Sequence, residues 1–146
     1  MSIEDDVALL ERVPTMRLLG ESSLRMLAIG SEQRDFNAGD VLFRAGDDAD
    51  AGYVVQRGTF RIEEGGAEIV AGDGALIGEL ALIVAMKRPS TATALERGSV
   101  IRVARSLFQR VLESDPAAAR RLRDELAMRT SQLASDILMA GAKLST

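Results

Sequence analysis

The chain has 146 residues and contains neither cysteine nor histidine. The first absence removes disulfides, iron–sulfur clusters, a thiolate nucleophile and cysteine-ligated zinc. The second removes the commonest metal ligand and the commonest general base, and with it serine–histidine catalysis. Carboxylates could still hold a hard cation, but no Asp/Glu spacing follows that of a calcium-binding loop. No apolar run reaches the ~18 residues of a membrane span, and no basic-then-apolar leader opens the chain. There is no internal repeat and no low-complexity segment. The chain therefore reads as non-enzymatic, without cofactor or metal, without a membrane partner, and with the cytoplasm as its expected location.

Its 22 acids outnumber 18 Lys and Arg, for a net charge of −4. That balance argues against a broad nucleic-acid-binding face but leaves room for a local basic pocket. The length suits one domain spanning 1–146. Within it, residues 1–30 have helical character, 31–104 have the texture of a β-sheet, and 105–146 are helical again.

Ile3, Val7, Leu10 and Val13 recur at helical spacing behind the acids Glu4, Asp5 and Asp6, a charge sign that suits a helix N-terminus. Pro14 ends that helix or opens a turn. Ser22 or Ser23 is expected to cap a second helix carrying Leu24, Leu27 and Ala28, with Gly30 as its stop. From Ser31 onward short β segments alternate with turn signals such as Asn37-Ala38-Gly39-Asp40, Gly46-Asp47-Asp48 and Glu64-Gly65-Gly66. Ser106 is a candidate cap for a helix to about Glu113. Asp115-Pro116 is a cap and first position for a last helix, expected to run to about Gly141. The fold class is α+β: an eight-stranded antiparallel β-roll, jelly-roll-like, with N-terminal helices, one short inserted helix and C-terminal helices.

The stretch Ala75–Ala94, ALIGELALIVAMKRPSTATA, stands apart. Glu79 is the one charge between Ala75 and Met86, and Gly78 precedes it. A carboxylate in an apolar run is costly to bury unless it is hydrogen-bonded. A glycine at the start of a short helix lets a ligand approach bare amides. Arg88 follows, with Ser90, Thr91 and Thr93 behind it, and an arginine there can return to pair with an anion. These residues outline a pocket for one phosphate and one hydroxyl-bearing group. The bland reading makes Glu79 a first-turn acid, Lys87 and Arg88 solvated strand charges, and the hydroxyls ordinary strand residues.

Phe36–Asp47, Tyr53–Gly58 and the string Ile77-Gly78-Glu79-Leu80-Ala81-Leu82, followed by Arg88 and Thr91, together resemble the cyclic nucleotide-binding domain family. That family includes the catabolite activator protein and the regulatory subunits of protein kinase A. The resemblance runs from about Leu10 to Leu133. It implies that Gly78 opens a phosphate cassette whose amides at Glu79, Leu80 and Ala81 face a cyclic phosphate. Glu79 would accept from the ribose 2′-hydroxyl, and Arg88 would pair with the phosphate oxygens. Pro89 occupies the place of a residue that in relatives is small or carries a hydroxyl. Proline has no donor, so Ser90 would substitute. Thr130, and Ser131 beside it, would lie near the base.

Leu126, Thr130, Leu133, Ile137, Ala140 and Leu144 form a heptad seam, which suggests a parallel homodimer through the last helix. The ligand implied is cAMP, with cGMP as the other purine the hydroxyls could serve. Some relatives carry a helix-turn-helix after this helix. None is evident here, so direct DNA binding is not expected, and the signal would pass through the dimer or an unidentified effector protein. Two alternatives stay open: a degenerate fold serving as a protein-interaction module, and a β-roll enzyme using Glu79 or Asp73 as base.

Overall fold

A computed structural model describes residues 2–129. The chain begins with α1 (Ile3–Glu11), α2 (Pro14–Arg17) and α3 (Glu21–Gly30). Ser2 and Asp5 close a reciprocal capping box at the start of α1. Pro14 is the first residue of α2, where its missing N–H costs nothing. α3 starts one residue before the serines expected to cap it. Gly20, at φ +86°, stands at its head, and Ser23 is buried with its hydroxyl donating to Asp115 at 3.3 Å.

The strands are β1 (Glu32–Phe36), β2 (Val41–Phe43), β3 (Asp48–Ala49), β4 (Ala51–Arg57), β5 (Phe60–Glu64), β6 (Ala67–Ala71), β7 (Leu76–Ile77), β8 (Met86–Lys87), β9 (Thr91–Ala94) and β10 (Gly98–Ala104). Eight of them form two four-stranded antiparallel sheets, ordered β1-β10-β4-β7 and β2-β9-β5-β6. The other two, β3 and β8, make a two-stranded pair. The architecture is the α+β roll expected. Gly58 shows how tightly its corners close: at φ +88°, a Cβ there would lie 2.9 Å from the Arg97 carbonyl oxygen, so only glycine fits.

α4 (Arg105–Ser114) follows β10 directly. Ser106 does not cap it; Ala104 stands at its head without a side-chain bond. Asp115 does cap the next helical stretch, residues 116–129, accepting from the Ala118 amide at 3.2 Å. The expected extension to Gly141, and the seam from Thr130 to Leu144, lie outside the described residues.

Two apolar clusters hold this arrangement. One joins the helices to the outer face of the first sheet: Leu10, Met16, Leu24 and Leu27 meet Val103, Phe108 and Val111. The other fills the roll between the sheets, with Phe43, Tyr53, Val55, Phe60 and Val100 at its centre. Each fully buried side chain of this size contributes about 1.5–3 kcal/mol relative to exposure. No helix among the described residues is long and apolar enough to cross a membrane.

Candidate anion-binding site

Between β7 and β9 the chain leaves the sheets and builds a cavity of about 450 Å3, within the range of small-molecule sites. The predicted residues Gly78, Glu79, Leu80, Ala81, Arg88, Pro89 and Ser90 all line it. Thr130 and Ser131 lie outside the described residues. The opposite wall is apolar, from Phe43, Ile62, Ile69 and Ala75.

Gly78 turns the chain from β7 into a four-residue 3-10 turn, Glu79–Leu82. Its φ of +77° suits glycine, and a Cβ there would lie 2.5 Å from Arg88 Nη1. The turn and the guanidinium thus touch only because position 78 has no side chain. The Ala81 amide, expected to face an anion, donates to the Gly78 carbonyl at 3.1 Å. Glu79 and Leu80 supply the leading amides, which a helical start leaves without intrahelical partners.

Arg105 fixes the far side of the turn. Its Nη1 donates to the carbonyls of Ala49 at 2.8 Å, Ala81 at 3.2 Å and Val84 at 3.1 Å. One cation at the head of α4 thereby ties the cassette to the sheet edge.

Arg88 is the unusual group. Its backbone is pinned to the β2–β3 turn, donating to Asp47 O at 2.7 Å and accepting from Gly46 N at 2.8 Å. Its side chain is only 4% exposed. Nη2 donates to the Ala51 carbonyl at 2.8 Å. The guanidinium carbon lies 4.2 Å from the Phe43 ring centre and 5.5 Å from that of Tyr53, so two aromatic faces carry part of its charge. Nε is buried without a hydrogen-bond partner. None of the ion pairs among the described residues includes Arg88. Burial pushes its pKa below the ordinary arginine value, and nearby Tyr53 and Asp50 oppose that shift. A guanidinium stays protonated regardless. The result is a desolvated cation facing a cavity, with its nearby carboxylate, Asp50, paired to Arg102 instead.

Neighbouring Lys87 is exposed and paired with Asp48, as a solvated strand charge would be. Ser90 is buried in the cavity wall, whereas Pro89 is exposed at its rim. Thr91 is committed elsewhere, its Oγ1 accepting from the Ala45 amide at 2.9 Å.

Glu79 differs from Arg88 in having partners already. Oε2 accepts from Thr15 Oγ1 at 2.7 Å, and Oε1 accepts from Arg129 Nη1 at 2.8 Å. Arg129 Nη2 closes the ring by donating to Thr15 Oγ1 at 3.2 Å. Thr15 comes from α2 and Arg129 from helical residues 116–129, so three segments meet on one carboxylate. Sequence reasoning missed Thr15, Arg129 and Arg105 as parts of the site. Thr15 and Arg129 are 64 and 50 residues from Glu79, and no local pattern joins them.

The comparisons agree with this geometry. The family model described as "Cyclic nucleotide-binding domain" matches residues 33–115. An "Uncharacterized NTE family protein" of Mycobacterium tuberculosis is 34% identical over 135 residues, covering 84% of this chain. The chain spans only 23% of that relative's length. A cyclic nucleotide-binding-like protein from Brucella abortus is 37% identical, with a TM-score of 0.66 over 75% of this chain and 98% of that one. The regulatory domain of Toxoplasma gondii PKA, solved with cAMP, is 26% identical, with a TM-score of 0.69 over 75% of this chain and 44% of that one. The family model spans more than half of the chain, and the chain belongs to the cyclic nucleotide-binding domain family. That fold is a regulatory one, and it supports a role in sensing a cyclic nucleotide.

Proposed function

We propose that this chain is a receptor domain for cAMP, with cGMP as the competing ligand, and that it performs no chemistry on what it binds. The observation that carries this reading is Arg88, a buried guanidinium with a cavity in front of it and no carboxylate partner. A charge out of water is costly until an opposite charge joins it. A cyclic phosphate diester brings one negative charge and oxygens that match the guanidinium fork. The leading amides of Glu79 and Leu80 add donors, and Ser90 offers a hydroxyl where Pro89 has none. Glu79 would then accept from the ribose 2′-hydroxyl, and the purine would lie along the apolar wall near Ile62 and Ile69.

The same reading gives occupancy a route outward. Glu79 lines the cavity and is bonded to Arg129, on the helical stretch that leads toward Thr130. A ligand that touches Glu79 therefore touches the helix one bond away. A homodimer through the last helix, or an effector protein docked on the helices, would receive the signal, and neither DNA nor a membrane is needed as partner. No cofactor enters this reading, and the cytoplasm is where such a ligand would be met.

Pro89, exposed at the rim and unable to donate, favours a second reading in which the fold no longer binds nucleotide and serves as an interaction module. Calorimetric titration of the purified protein with cAMP, cGMP and a cyclic dinucleotide separates the two. Saturable one-site binding of a mononucleotide supports the receptor. Flat titrations with all three support the module.

A further inference from the structure

The main cavity is not the only one Glu79 faces. Its other side borders a second cavity of about 490 Å3, together with Thr15, Glu125 and Arg129. Glu79 thus lines both cavities, and its two protein partners, Thr15 and Arg129, line the second, whereas Arg88 lines the first. Thr15 is 2% exposed, a hydroxyl buried with its donor committed to Oε2. Arg129, 40% exposed at its side chain, is itself held by Glu125, Nε to Oε1 at 3.6 Å, one helical turn back. A carboxylate accepts about four hydrogen bonds. Thr15 and Arg129 supply one to each oxygen, so each oxygen retains capacity for a further donor.

We propose that Thr15 and Arg129 are positioning residues for sugar recognition: they hold the Glu79 carboxylate in the cavity wall so that a ligand hydroxyl meets an acceptor already in place. This rests on the receptor reading above and deepens it. The physical reason is preorganisation. A free glutamate side chain loses substantial rotamer entropy when fixed, and fixing it before binding removes that cost from the binding step. The bracket acts through Glu79 alone, so its worth appears only for ligands with a hydroxyl to donate.

The test is the ratio of cAMP to 2′-deoxy-cAMP affinity, measured by calorimetry on the full chain. The unaltered protein should prefer cAMP by roughly tenfold to a hundredfold, the worth of a hydrogen bond to a charged acceptor. Thr15→Val keeps the side-chain shape, and Arg129→Met sits on a half-exposed helix face. Each should lower that ratio by about threefold to tenfold, leaving 2′-deoxy-cAMP affinity within about twofold. Arg129→Lys should recover part of the loss. In a Glu79→Gln background, Thr15→Val should not change the ratio further. A ratio unchanged in both single variants overturns the proposal. So does a parallel fall for both ligands, which marks a structural role, and so does tighter cAMP binding by Arg129→Met, which marks Arg129 as a competitor. Failure of the unaltered protein to bind either ligand overturns the receptor reading itself, and this inference with it.

Discussion

Arg88 and Glu79 line the same cavity, nine positions apart, and the protein treats them in opposite ways. Glu79 is a half-exposed carboxylate with two donors on its oxygens, drawn from α2 and from helical residues 116–129. Arg88 is a nearly fully buried cation that packs on two aromatic faces, donates to one carbonyl and makes no ion pair among the described residues. The acid is woven into the helices and the base is left for something else. A structural ion pair between the two would have been the simpler way to bury both. Its absence is informative, because a buried charge lacking its partner is a cost that folding alone gives no reason to keep.

The contrast can be broken from either side. Arg88→Ala has the largest expected effect, a loss of about 2–5 kcal/mol in cyclic nucleotide affinity, the usual cost of removing one partner of a buried charge pair. That is roughly thirtyfold to several-thousandfold in Kd by calorimetry. Arg105→Met should come next. It leaves the Ala49, Ala81 and Val84 carbonyls without their shared cation. It should lower stability by about 1.5–3 kcal/mol in urea unfolding, the range for hydrogen bonds to a charged group. Gly78→Ala should cost about 1–2 kcal/mol for a left-handed backbone and push Arg88 Nη1 aside, weakening ligand binding as well as folding. Glu79→Gln should have the smallest effect on stability, no more than about 1 kcal/mol, since the carboxylate and Arg129 are both partly exposed and screened by solvent. A stability loss at Glu79 larger than that at Arg105 would reverse the comparison.

Part of this was legible in the sequence for a physical reason. The cassette is contiguous: Gly78 needs its left-handed backbone, and a lone acid and a lone arginine flank an apolar run, so the pattern is local. The longer strands of the two four-stranded sheets were legible because turn glycines punctuate them. β7 and the pair β3–β8 were not, because strands of two residues leave no alternation to read. The helix caps misled for another reason. A serine near a helix start looks like a cap, but Ser23 turns its hydroxyl to Asp115, and Ser106 lies inside a helix headed by Ala104. The bracket on Glu79 and the aromatic seat of Arg88 were invisible, since each joins residues that only the fold brings together. Thr15 follows a proline, where nothing marks it as more than a helix-start residue.

The central claim is that Arg88 is kept unpaired for an anionic ligand. The direct measurement is the stabilisation that cAMP confers in urea unfolding on the unaltered protein and on Arg88→Met. At a ligand concentration of 100 times Kd, mass action predicts about 2.7 kcal/mol for the unaltered protein. The variant should gain no more than about 0.9 kcal/mol at that concentration, and without ligand it should be at least as stable, because an apolar chain replaces a desolvated charge. Equal stabilisation of both proteins by cAMP, or none of either, would contradict the account.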